Sequence, residues 1–147
     1  MRRTLLTLFA AFALACSSSS IPEGIEAPLV RVRQPSGQIA DGGVGMDPIR
    51  IGLVIDLMNR SDQILHLRYL SLQSVAGGAF HFGSTARVLS ERFEPGETRS
   101  VDIWVHAVSD HPSSDLSNAV SVRGSALFES DLGKFRHVFI EQIDIVR

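Results

Sequence analysis

From Ile49 the chain alternates: Ile49, Ile51, Leu53, Ile55 and Leu57 fall on one side of an extended backbone, and Arg50, Gly52, Val54, Asp56 and Met58 on the other. Successive side chains of a strand point to opposite faces, so a run of this period buries one face and cannot form the 3.6-residue stripe of an amphipathic helix. The pattern returns at Val101, Ile103, Val105 and Ala107, with Asp102, Trp104 and His106 opposed. No stripe of helical spacing longer than two turns occurs in the 147 residues. A chain built this way has to bury strands against strands.

Further extended runs occupy residues 29–33, 64–72, 80–82, 85–89, 120–128 and 135–146. Turn formers separate them: Asn59, Arg60, Ser61 and Asp62; Gly77 and Gly78; and Ser130, Asp131, Leu132 and Gly133, which read as a hairpin. In Phe93, Glu94, Pro95, Gly96 and Glu97 the proline presets its own φ and the glycine accepts a positive one. Residues 109–118 are polar, include Pro112, and hold at most one helical turn. Seven or eight strands at this spacing predict an all-β fold, an antiparallel sandwich of immunoglobulin or fibronectin type III kind, with a small closed β-barrel as the alternative. The cysteine pair of antibody domains is missing, because Cys16 is the only cysteine.

That cysteine has a telling position. Arg2 and Arg3 precede an apolar run from Leu5 to Ala15, the three-part pattern of a secretory signal with its cut between Ala15 and Cys16. An apolar stretch of roughly 10 residues is too short to cross about 30 Å of hydrocarbon. Ala13, Leu14, Ala15 and Cys16 resemble the lipobox of bacterial lipoproteins. The resemblance implies a diacylglyceryl group on the sulfur, an acyl chain such as palmitate on the new amine, and attachment to a membrane through covalent lipid. One myristoyl chain binds only marginally, so two or three are needed for a lasting anchor. Ser17 stands where an aspartate would retain an enteric lipoprotein in the inner membrane, so the outer membrane is the expected address. The alternative is a secreted chain cut near Ala15 and left with a free thiol.

The expected organisation is a signal over residues 1–15, a lipidated cysteine and flexible tether over 16–28, and a sandwich over 29–147. Twelve tether residues rich in serine, proline and glycine would hold the domain about 20 Å from the lipid. Fourteen basic residues less Arg2 and Arg3 leave twelve, against sixteen acidic ones. Such a balance gives no electrostatic case for nucleic acid or for a broad anionic membrane surface.

A second resemblance covers residues 51–107. An alternating strand ending in Asn59, Arg60 and Ser61, a leucine-rich strand (Leu65, Leu67, Leu70, Leu72), and Pro95–Gly96 before a valine-rich strand are similar to the water-stress-and-hypersensitive-response domain of the late-embryogenesis-abundant group. Val122, Arg123, Gly124, Ser125 and Ala126, with Leu132, Gly133 and Lys134, resemble its later strands. The family implies a non-catalytic sandwich and supplies no active-site residues.

Catalytic patterns are thin. Residues 41–45 are glycine-rich but lack the Gly-Lys-Ser/Thr ending of a phosphate loop. No strained Gly-x-Ser-x-Gly element presents a serine, and the one thiol sits in the expected anchor. Glu91, Glu94 and Glu97 surround one turn at a spacing that suits solvent better than a buried general acid. His66, His81, His106, His111 and His137 show no recognised ligand spacing; His106, Asp110 and His111 form the only local group. No cofactor is expected, and the chain is not expected to be an enzyme. Trp104, Val138 and Ile140 alternate out of phase with core positions, so either the chain itself or an envelope protein partner covers them. A non-catalytic binding or assembly module is therefore the leading expectation; a metal-binding or hydrolytic protein using His106, Asp110 and His111 is the alternative, and a mere spacer a third.

Overall fold

The computed structural model describes residues 20–35, 39–40, 49–75, 80–109 and 119–145. They form nine strands: β1 (Leu29–Arg33), β2 (Ile39–Ala40), β3 (Ile49–Met58), β4 (Leu65–Ser74), β5 (Phe80–Phe82), β6 (Thr85–Phe93), β7 (Thr98–Ser109), β8 (Ala119–Ser130) and β9 (Gly133–Asp144). One sheet runs β1-β3-β7-β5, with β2 beside β3 on the β1 side; the other runs β6-β4-β8-β9. Every pairing is antiparallel. The sheets stack as a β-sandwich, one of them curled strongly into a half-barrel. Among the described residues neither β6 nor β9 pairs with a strand of the opposite sheet, which distinguishes the fold from a closed barrel.

The alternation seen in the sequence becomes the core. Ile51, Leu53, Ile55 and Leu57 from β3 and Val101, Ile103, Val105 and Ala107 from β7 face Leu65, Leu67, Leu70 and Leu72 from β4 and Val120, Val122, Ala126 and Phe128 from β8. Each of the valines, leucines, isoleucines and the phenylalanine contributes about 1.5–3 kcal/mol on full burial, the dominant favourable contribution in a domain without disulfides. Phe128 joins the aromatic residues of its own sheet, edge-on to Phe93 of β6 at 6.3 Å and stacked on Phe135 of β9 at 5.5 Å. Gly124 lies under the ring of Phe139, its cross-strand partner: a Cβ there would come within 2.0 Å of the ring, so the ring occupies the volume a side chain at 124 would need.

β4 contains an irregularity. Its register shifts between Leu67 and Tyr69 against both neighbours, so Arg68 and Tyr69 both lie outside the core while Leu67 and Leu70 are both buried. A bulge of this kind re-phases a strand without turning its apolar side to water.

The docked chain begins earlier than residue 29. Ile25 is part of the core and Ile21 packs against it, while the Ile25 amide donates to the Pro22 carbonyl in a tight turn at 3.1 Å. Glu26 pairs with Arg60. Residues 21–28 are thus a docked arm and not the free tether expected from their composition; two isoleucines that cover core surface outweigh the turn-forming residues between them.

Candidate interaction surfaces

Three tight turns meet at one end of the sandwich, and a single asparagine ties two of them. Asn59, only 1% exposed, follows β3; its Nδ2 donates to the carbonyls of Gln63 (2.7 Å), Phe93 (3.3 Å) and Glu94 (3.2 Å). Its Oδ1 accepts from the Ser61 amide and hydroxyl at 3.0 and 2.8 Å. Its main chain continues the β3–β7 ladder, giving N–H to the Glu97 carbonyl and accepting from the Gly96 amide, both at 2.9 Å. The Glu94–Glu97 turn closes with the Glu97 amide donating to the Glu94 carbonyl at 3.0 Å, and Gly96 at φ 76° takes the third position of a type II turn. The asparagine turn and the proline–glycine turn are therefore one hydrogen-bonded unit.

The carboxylates around that turn are held by arginines. Glu97 accepts from the Glu94 amide and from Arg99, which together hold its carboxyl below the usual range. Glu91 pairs with Arg99 and Glu94 with Arg92. A lowered carboxyl is the wrong direction for a general acid.

At the opposite end, Ser74 joins the sheets. Its Oγ accepts from the Phe82 amide at 3.0 Å, lies 3.1 Å from the Phe82 carbonyl and 3.0 Å from His81 Nδ1. With its proton directed at the Phe82 carbonyl and a lone pair engaged by the Phe82 amide, the hydroxyl is a structural link between β4 and β5. His106 stands on the outer face of β7 opposite Arg50 in register, and Arg50 in turn stacks over the Trp104 ring at 4.5 Å. Asp110 and His111 lie outside the described residues, as do Cys16, Ala15 and the glycine-rich loop at 41–45. Among the described residues no group of three His, Cys, Asp or Glu side chains converges as metal ligands would.

The three apolar positions singled out by phase do emerge from the core: Trp104 is 40% exposed, Val138 47% and Ile140 66%. They are not one surface. Trp104 belongs to the outer face of the β1-β3-β7-β5 sheet, whereas Val138 and Ile140 lie on the outer face of the other. On the Trp104 face Val54 is buried although it points outward, flanked in register by Arg33 and Asp102. Beside it Arg33 donates to Asp56 at 2.7 Å and Ser100 to the same carboxylate at 2.5 Å. The Arg33 bond is the main reason the Asp56 carboxyl titrates below its usual range.

The Val138 face has a feature that phase did not reveal. Val88, Tyr69 and Leu127 form one cross-strand row from β6 through β4 to β8, and Val138 and Ile140 continue it diagonally onto β9. Val88 is the most exposed of these at 81%. Seen along the sequence these residues are isolated, because strand order brings them together. Beside the band a shallow cavity of about 190 Å³ is lined by Ser71, Gln73, Ser84, Arg123, Ser125, Arg136 and Val138.

No family model matches the chain, and no curated protein matches it. Solved structures similar to it include a protein from Archaeoglobus fulgidus, at 9% identity and TM-score 0.47 over 80% of this chain and 93% of that one. A FixG-related protein from Vibrio parahaemolyticus is similar at 11% identity and TM-score 0.39, over 82% and 97% of the two chains. AT1g01470 from Arabidopsis thaliana is similar at 13% identity and TM-score 0.44, over 92% and 91%. The fold assignment itself rests on the strand pairing described above.

Proposed function

We propose that the chain is a cell-envelope lipoprotein, exported by its first fifteen residues, acylated at Cys16, and working through a non-catalytic β-sandwich that binds or assembles with another envelope protein. The observation that carries the reading is the lone cysteine directly after a positive start and an apolar run. Two features of the described domain accord with it. The carboxylates of the Glu94–Glu97 turn are paired with arginine, and the Ser74 hydroxyl is engaged by the backbone, so neither set is poised for catalysis. The outer face carrying Val138 and Ile140 offers an apolar band flanked by polar groups, the composition of a partner surface. Kinship with the water-stress-and-hypersensitive-response domains belongs to the same proposal, supported by the way Asn59 locks its turn to Pro95–Gly96.

The test is a Cys16→Ala substitution in the producing cell. Palmitate incorporation is expected to vanish and the protein to leave the membrane fraction; unchanged labelling and retention would sink the anchor. In the same cells, crosslinking through the exposed sheet face is expected to recover an envelope protein, and Val138→Glu with Ile140→Glu to lose it.

A further inference from the structure

The cavity beside the apolar band has a composition at odds with the chain as a whole. The full sequence has more acidic than basic residues, yet the described residues that line the cavity include two arginines, three serines and a glutamine, and among them no carboxylate. We infer that this cavity on the outer face of the β6-β4-β8-β9 sheet is an anion site for a phosphoryl group.

Strand register explains the arrangement. Arg123 of β8 stands opposite Ile140, Ser125 opposite Val138, and Arg136 of β9 opposite Leu127. The two guanidinium-bearing positions are thus four residues apart along the strand direction, roughly 14 Å, with the Ser125–Val138 row between them. Ser71 flanks that row on β4, where it pairs with Ser125, and Gln73 pairs with Arg123. Two long side chains rooted at either end of a shallow floor can lean toward its centre, while the floor supplies hydroxyl donors. Arginine presents a planar fork that matches the spacing of phosphate oxygens and stays charged at every physiological pH. The volume, about 190 Å³, lies below the roughly 300–1,000 Å³ usual for organic ligand sites. That size fits a phosphate bearing a few further atoms. Val138 on the wall accommodates a short apolar portion of the same ligand.

A phosphoryl group could come from a dissolved phosphorylated solute or from a lipid headgroup, and the test separates them. The full chain is titrated with inorganic phosphate and with glycerol 3-phosphate at constant ionic strength, following backbone amide shifts. Saturable binding is expected, with shifts centred on Ser71, Arg123 and Ser125. Arg123→Ala combined with Arg136→Ala is expected to weaken it at least about tenfold, since each charge-assisted hydrogen bond contributes about that factor or more. Both arginines are on an outer face, an unchanged urea midpoint of the double variant checks that the fold is kept, and Arg31→Ala on the opposite sheet serves as the charge control. Sedimentation with phosphatidylglycerol vesicles that the double variant loses would name the headgroup as the source; binding of glycerol 3-phosphate without vesicle binding would name a solute, and either supports the site. Absent saturation, or equal weakening by Arg31→Ala, overturns it. The titration requires neither acylation nor a protein partner, so it stands or falls apart from the anchor.

Discussion

At the scale of single residues, Asn59 has the most at stake. Its amide serves three carbonyls and its oxygen two donors in a site sealed from solvent. An aspartate has nearly the same shape but replaces the NH₂ donor with a second acceptor, which would face the carbonyls of Gln63, Phe93 and Glu94. Unmade hydrogen bonds at buried groups cost about 1–3 kcal/mol each, more when a charge is involved. Asn59→Asp is therefore expected to lower stability by about 3 kcal/mol or more, read as a large drop in the urea midpoint with an unchanged slope. Arg60→Ala is the comparison: it removes an ion pair with Glu26 whose partners are both about half exposed, and such pairs contribute about 0–1 kcal/mol. If the two variants unfold at the same midpoint, the asparagine is not the lock between the turns.

At the scale of elements, β9 shows how an edge strand carries polar groups on its inner side. Its inward positions run Phe135, His137, Phe139, Glu141 and Ile143, the apolar ones buried and the ionisable ones half-buried. Such inward charges discourage a further strand from pairing. His137 lies along Phe139, ring centroids 6.3 Å apart, and burial holds its pKa below the usual imidazole value. The folded chain therefore prefers the neutral ring, and the unfolded chain takes up the proton first as pH falls. Stability is then full above the ordinary histidine pKa and declines as acidification proceeds below it, levelling once the folded form is protonated too. The lowered carboxyls of Asp56 and Glu97 weaken the fold only further down, below the usual carboxylate range. Comparing unfolding midpoints at about pH 7.5 and about pH 5.5, His137→Gln is expected to shrink the difference; an undiminished difference would assign it elsewhere. Much of this element structure was legible beforehand. Period-2 runs located β3 and β7 because one face of each is buried; in β4 the three-residue step from Leu67 to Leu70 takes its meaning as a bulge only from the register against β6 and β8. What the sequence hid depends on pairing between distant strands. The cavity draws on β4, β8 and β9 together, and nothing local marks Ser71, Arg123 and Arg136 as neighbours. The docking of Ile21 and Ile25 was hidden for the opposite reason: their surroundings of serine, proline and glycine have loop composition, and only the core they cover makes them ordered.

For the whole molecule, the docked arm fixes an orientation if Cys16 is the anchor. Residues 21–28 reach the core at the end bearing the three short turns: Glu26 pairs with Arg60 of the β3–β4 turn, and Gly24 lies beside Leu132 of the β8–β9 turn. Four residue steps separate Ser20 from Cys16, and a fully extended chain covers at most about 3.6 Å per step. The turn end would then be held within about 15 Å of the lipid, and the Ser74–His81 end would project outward by the length of a ten-residue strand, roughly 33 Å. The outer sheet faces would stand upright, accessible from the side, where a neighbouring envelope protein could meet the apolar band. Acylation consumes the only native thiol, so one introduced cysteine gives a unique labelling point. A fluorophore at Asp62→Cys, in the β3–β4 turn, is expected to be strongly quenched by lipids carrying a headgroup nitroxide, and one at Val75→Cys, just past β4, to be nearly unaffected. Equal quenching at the two positions would mean that the arm detaches and the domain tumbles on a longer leash.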